Sequence, residues 1–216
     1  MDNILEYVKE KWDQLTAFSK KEEIKKQLWE EIIYRYSGQH RHYHNLNHIA
    51  HLYMLLEKYY DKITSPAVIG FAILYHDVVY DTYSADNEEQ SAAFAEAHLR
   101  QLNVNQGLVD NVKTFIKATK DHKIPEDVAL HNDLSFFLDF DMAILGVDDE
   151  MYSLYSKKIR QEYAKYPDPL YKEGRQLALR RVLVEQNIFA TDEFREVMEQ
   201  KARENINREV SLLQKQ

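Results

Sequence analysis

His48, the adjacent pair His76-Asp77 and Asp141 are imidazoles and carboxylates set in apolar sequence. An ionised carboxylate in such surroundings is costly unless it is paired or bound to a metal. Imidazole beside carboxylate suits a divalent cation. His76-Asp77 lies within Phe71-Ala72-Ile73-Leu74-Tyr75-His76-Asp77-Val78-Val79-Tyr80. A lone His-Asp pair there would more often be a core hydrogen bond and a turn cap. This pair is not alone. Upstream runs His42-Tyr43-His44-Asn45-Leu46-Asn47-His48-Ile49-Ala50-His51, and downstream runs Phe136-Phe137-Leu138-Asp139-Phe140-Asp141-Met142.

Periodicity decides which of these residues face inward. His48 is in phase with Leu52, Leu55 and Tyr59, so it faces the core. His44 shares that face if the helix starts early, whereas His42 and His51 fall towards solvent. Asp141 follows Leu134, Phe137 and Leu138 at helical spacing. Asp139 leans towards Ser135 and is expected to be exposed or to support the ligands from behind.

These residues need helices to hold them. Apolar positions recur at helical spacing almost throughout. Helices are expected over about Ile4–Phe18, Lys21–Tyr36, Asn47–Tyr60, Pro66–Tyr80, Glu88–Leu102, Gln106–Thr119, Asp133–Leu145, Asp149–Tyr163, Pro169–Gln186 and Asp192–Leu213. Ser65-Pro66 opens the fourth, with Ser65 as N-cap. Residues 68–80 are apolar on nearly every face and too long for a typical strand, so they should form a central helix. Asp86-Asn87-Glu88-Glu89 has the spacing of a capping pair.

The 216 residues show no linker, repeat or low-complexity tract, which points to one all-α domain. Helices of about 1–36 and 149–213 are expected to pack on the core that carries the histidines. Only 5 Gly and 4 Pro interrupt the chain, against a turn-rich β architecture. The net charge of −8 argues against a nucleic-acid duplex as partner. There is no cysteine, so a metal would be held by His, carboxylate and water. Residues 1–14 lack the apolar core of a signal peptide, and the stretch near Pro66–Tyr80 is too short to span a bilayer. A cytoplasmic protein without a membrane partner is therefore expected. Nothing in the sequence fixes an oligomeric state.

His48, His76-Asp77 and Asp141, in that order, resemble the H…HD…D pattern of the HD superfamily of metal-dependent phosphohydrolases. Arg41-His42-Tyr43-His44-Asn45-Leu46-Asn47-His48, Tyr75-His76-Asp77-Val78-Val79-Tyr80-Asp81, Asp86-Asn87-Glu88-Glu89-Gln90-Ser91-Ala92 and Leu138-Asp139-Phe140-Asp141-Met142-Ala143-Ile144-Leu145-Gly146 resemble a subgroup of predicted HD phosphohydrolases. Ile159-Arg160-Gln161-Glu162-Tyr163 and Gly174-Arg175 extend the resemblance, which runs from about Tyr34 to Asn205.

The resemblance implies an HD-domain-like helical bundle with the metal between central helices. It implies one divalent cation on His48, His76, Asp77 and Asp141. Two His favour Mn, Fe, Co, Ni or Zn; Mg prefers oxygen ligands. The implied reaction is attack of a metal-activated water on a phosphoester, with nucleotides among the candidate substrates. Glu88 is a candidate for handling the proton beside Asp77.

Arg41, Arg160, Arg175, Lys120 and Tyr163 are candidates for phosphate recognition, since Arg presents forked donors to phosphate oxygens. The bland alternative for any one Arg is a surface ion pair. His44 and His122 are candidate substrate contacts. Tyrosines at helical spacing more often pack between helices than stack on a base. Two other classes compete: a metal-stabilised binding or regulatory module with little catalysis, and a di-iron oxygenase of the HD type. The second needs a fuller histidine set than this chain offers.

Overall fold

The computed structural model describes residues 2–214. Among these, the regular structure is entirely helical: α1 (Asp2–Thr16), α2 (Glu22–Tyr36), α3 (Leu46–Lys58), α4 (Pro66–Tyr75), α5 (Asn87–Gln101), α6 (Gln106–Ala118), α7 (His131–Met142), α8 (Asp149–Glu162), α9 (Asp168–Val184) and α10 (Asp192–Gln214). Short 3-10 turns follow α3 and α7. No described helix is long and apolar enough to cross a membrane. The chain divides into two compact units, Met1–Phe137 and Leu138–Gln216, and the division falls inside α7, where no change of composition marks it.

In the first unit α4 is the central helix, as its all-round apolar sequence requires. Residues 68–75 are all buried, and α4 packs against α1, α3, α5 and α6. Two buried tyrosines fix it through its backbone: Tyr53 donates to the Gly70 carbonyl at 2.8 Å and Tyr36 to the Leu74 carbonyl at 2.9 Å. Pro66 sits in the first turn, but the Ser65 side chain makes no capping bond. The buried Asp133 carboxylate of α7 instead accepts from the Thr64 and Ser65 amides at 3.0 and 2.6 Å.

The expectation that α4 runs to Tyr80 needs correcting: the helix ends at Tyr75, with His76 as C-cap. Distant side chains claim the backbone groups that a longer helix would use. Arg41 takes the Asp77 and Val78 carbonyls, Ser91 accepts from the Val79 amide at 3.1 Å, and Asn87 accepts from the Asp81 amide at 3.0 Å. Asp86 stands at the N-cap of α5 without a capping bond; its carboxylate accepts from Ser84 and Gln90.

The second unit is organised around α10, which packs on α8, α9 and the 3-10 turn Ala143–Gly146. Gly146 permits the closest approach. A Cβ there would lie 2.6 Å from the Met198 Cβ and 3.1 Å from the Met198 carbonyl oxygen. The buried Asn205 amide donates to the Leu145 and Val147 carbonyls at 2.9 and 2.8 Å and so holds that turn on α10.

Asp139 corrects a second expectation. It is 1% exposed, not solvated, and its carboxylate accepts from the Ala190 and Thr191 amides and the Thr191 hydroxyl at 2.7, 2.8 and 2.6 Å. Burial raises its pKa to about 6 against the lowering effect of these hydrogen bonds. Residues 133–140 are buried on every side, so helical phase could not separate an inner from an outer face there.

Candidate metal centre

Asn45 positions His48. Its extended backbone and side chain cap α3, accepting from the Asn47 amide at 2.9 Å, and this sets the register that turns His48 inward. His48 is 4% exposed, alongside buried Leu52 and Leu55. The end of α4 positions His76, which is 2% exposed. His76 Nδ1 lies 2.9 Å from the Ile73 carbonyl oxygen. A carbonyl can only accept, so Nδ1 carries a proton, which leaves Nε2 as the atom that would ligate a metal once the proton it shares with Asp77 is displaced.

The two Nε2 atoms converge at 3.2 Å. Asp77 Oδ2 lies 3.1 Å from His76 Nε2 and 3.6 Å from His48 Nε2. Two donors each about 2.1 Å from one ion stand about 3.0 Å apart at 90° and about 3.6 Å apart at 120°. All three distances fall in that span. Burial pushes the Asp77 carboxyl up, but His76 and His44, the hydrogen bond to His76, and His48 together outweigh it. They hold the carboxyl well below the usual range. Asp77 is therefore an anion at neutral pH, in a place where a cation would be compensated.

Asp141 reaches this region along α7. That helix is unbroken, so Phe137 and Asp141, one turn apart, share a face. The Phe137 ring stands edge-on to His76 with centroids 5.9 Å apart. His48, His76 and the half-buried Asp141 offer ligand atoms that all lie within 4.8 Å of one another, and the group could hold a metal ion.

Arg41 has a clear mechanical task. It is 7% exposed, and its guanidinium donates to the carbonyls of His44 at 2.9 Å, Asp77 at 2.8 Å and Val78 at 3.1 Å. It lies over the rings of Tyr36 and Tyr80. Its donors are thus directed at the protein's own backbone and tie the segment before α3 to the segment after α4. His44 stacks at 4.4 Å on Tyr80, with its ring 5.9 Å from that of His48. Tyr43 lies 5.0 Å from His48. Sequence reasoning passed over Tyr43 and Tyr80 as site residues. Their place directly beside the histidine motifs was the available signal.

The other candidates lie as follows. Glu88 is half-buried in the first turn of α5 beside Glu89, whose carboxylate pairs with Lys120 at 2.9 Å. His122 follows α6 in left-handed backbone, φ 54°. Arg160, Tyr163 and Arg175 belong to the second unit. Arg160 binds Asp168 and donates to the Tyr163 carbonyl at 2.7 Å; the Tyr163 ring lies tilted against those of Tyr166 and Tyr171. Arg175 pairs with buried Glu209 at 2.9 Å. His42 and His51 are exposed, in line with their phase.

Comparison of the chain with family models, with curated proteins and with solved structures gives no match.

Proposed function

We propose that the chain is a metal-dependent phosphohydrolase of the HD type, cleaving a small phosphoester. The observation that carries this reading is the convergence of His48 Nε2, His76 Nε2 and Asp77 Oδ2 at 3.1–3.6 Å from one another; Asp141 groups with the same two imidazoles within 4.8 Å, in a set that does not include Asp77. Two imidazoles and two carboxylates fit one divalent ion of the Mn, Fe, Co, Ni or Zn group better than Mg, which prefers oxygen. Such an ion, when bound, polarises a phosphoryl oxygen and acidifies water.

The chain's own residues supply the rest. The Ile73 carbonyl fixes the proton of His76 on Nδ1. Asp77 offsets the positive charge. Arg41 holds the two ligand-bearing segments together through backbone carbonyls. Glu88, at the start of α5, is the carboxylate assigned to the leaving-group proton. Tyr43, His44 and Tyr80 give the histidines an aromatic border, on which a nucleobase could stack.

The test is hydrolysis of a panel of nucleotides and sugar phosphates by protein loaded in turn with Mn, Co, Ni, Zn and Mg. Activity that His76→Ala and Asp77→Ala abolish is the expected result. Metal-loaded protein without any such activity would overturn the hydrolase reading and leave a metal-binding module.

A further inference from the structure

In the second unit α9 buries Tyr171 and Leu179 on the side from which Arg175 reaches Glu209 of α10. Its opposite face is open. Leu170, Leu177 and Val184 recur every seven residues and are 58%, 53% and 81% exposed. At 3.6 residues per turn they form one stripe that drifts about 20° per repeat, nearly opposite the buried side. Glu173, Leu177 and Arg180 share this open side of the helix. Exposed apolar side chains spaced singly are common, so the stripe gains meaning only from the charges beside it.

The charges say what covers it. Glu173 and Arg180 lie on the same edge of the stripe, both exposed, and neither joins an ion pair within the chain among the described residues. They are placed symmetrically about the midpoint of the stripe, close to Leu177. Under a two-fold axis perpendicular to an antiparallel helix pair, an edge residue on one helix meets the residue at the mirrored height on the same edge of the other. Glu173 then faces Arg180 of the partner subunit, and Arg180 faces Glu173 of the partner subunit. Leu177 packs on Leu177 of the partner subunit at the axis, and Leu170 on Val184 of the partner subunit. On the other edge a Cβ at Gly174 would meet nothing within 4 Å, which leaves room for a side chain crossing from the second copy.

We propose that α9 is a self-association surface, on which a second copy of this chain lays its own α9 antiparallel across Leu170, Leu177 and Val184. One helix face is smaller than the roughly 800 Å² per partner of a standard stable interface, so the dimer is weak and concentration-dependent.

Sedimentation velocity of the full chain across a concentration series tests this. A monomer–dimer equilibrium is expected. Glu173→Arg alone and Arg180→Glu alone should each weaken it by roughly 10-fold or more, because each sets like charges opposite one another twice. The double variant Glu173→Arg/Arg180→Glu should recover the wild-type equilibrium. Leu177→Glu should give monomer. All three substituted positions are exposed, and circular dichroism checks that the helix content is kept. A chain that stays monomeric throughout overturns the proposal. So does a dimer insensitive to these changes, or one that the double variant fails to restore.

Discussion

Arg41 Nη1 donates to the backbone carbonyl of Asp77 at 2.8 Å, and the same nitrogen donates to the His44 carbonyl at 2.9 Å. One buried guanidinium thus fixes the spacing between the segment that leads into His48 and the turn that presents Asp77. Sequence reasoning had offered this arginine to a phosphate group. Its geometry instead fixes the backbone around His44 and Asp77, the segments next to His48 and His76.

Arg41→Ala leaves three buried or half-buried carbonyls without their charged donor. A loss of about 1–3 kcal/mol in unfolding free energy is expected, read by denaturant titration. Arg41→Lys keeps the charge but not the fork, and should recover only part of it. Either variant should weaken metal affinity more than His42→Ala, a change at an exposed neighbour, as measured by calorimetric titration with Mn or Zn.

Metal content should be one divalent ion per chain by elemental analysis after loading. His48→Ala and His76→Ala should each lose it. Because the ion binds only the folded state, loading to about 100-fold above Kd should stabilise the wild type by about 2.7 kcal/mol and leave either variant unmoved in thermal denaturation. Two tightly held, redox-active ions would favour the oxygenase alternative instead.

Gly146→Ala places a methyl group against the Met198 Cβ and carbonyl. The Met198 side chain could swing away but its backbone cannot. Overpacking of this kind costs about 1–3 kcal/mol, visible as a lower denaturation midpoint with an unchanged m-value.

Glu209 sets an acid limit on the second unit. Burial raises its carboxyl, but the hydrogen bond and charge of Arg175, with hydrogen bonds from Tyr152 and Ser156, bring it below the ordinary glutamate value. The folded state therefore favours the ionised form. The stabilisation is complete above the unfolded pKa of about 4.3 and is lost as pH falls through the lower folded value. Glu209→Gln should lower stability at pH 7 and flatten the acid limb of a stability–pH curve measured with urea.

The all-α fold class and the inward turn of His48 are legible in local sequence. Apolar periodicity placed ten helices to within a few residues at most ends, because a helix's bonds and its burial stripe are local. The same periodicity turned His48 inward beside Leu52 and Leu55. It failed where burial is not one-sided. In α7 every position from 133 to 140 is buried, so phase, which rightly favours Asp141 over Asp139 for the histidine group, does not foresee that Asp139 is buried as well. Only the tertiary structure gave Asp139 to the Ala190 and Thr191 amides. It also ended α4 at Tyr75, because the groups that claim the following backbone lie on Arg41, Ser91 and Asn87, from 6 to 37 residues away in sequence. A helical stripe is written in neighbouring residues. A helix end and a ligand triangle are made by partners that only folding brings together.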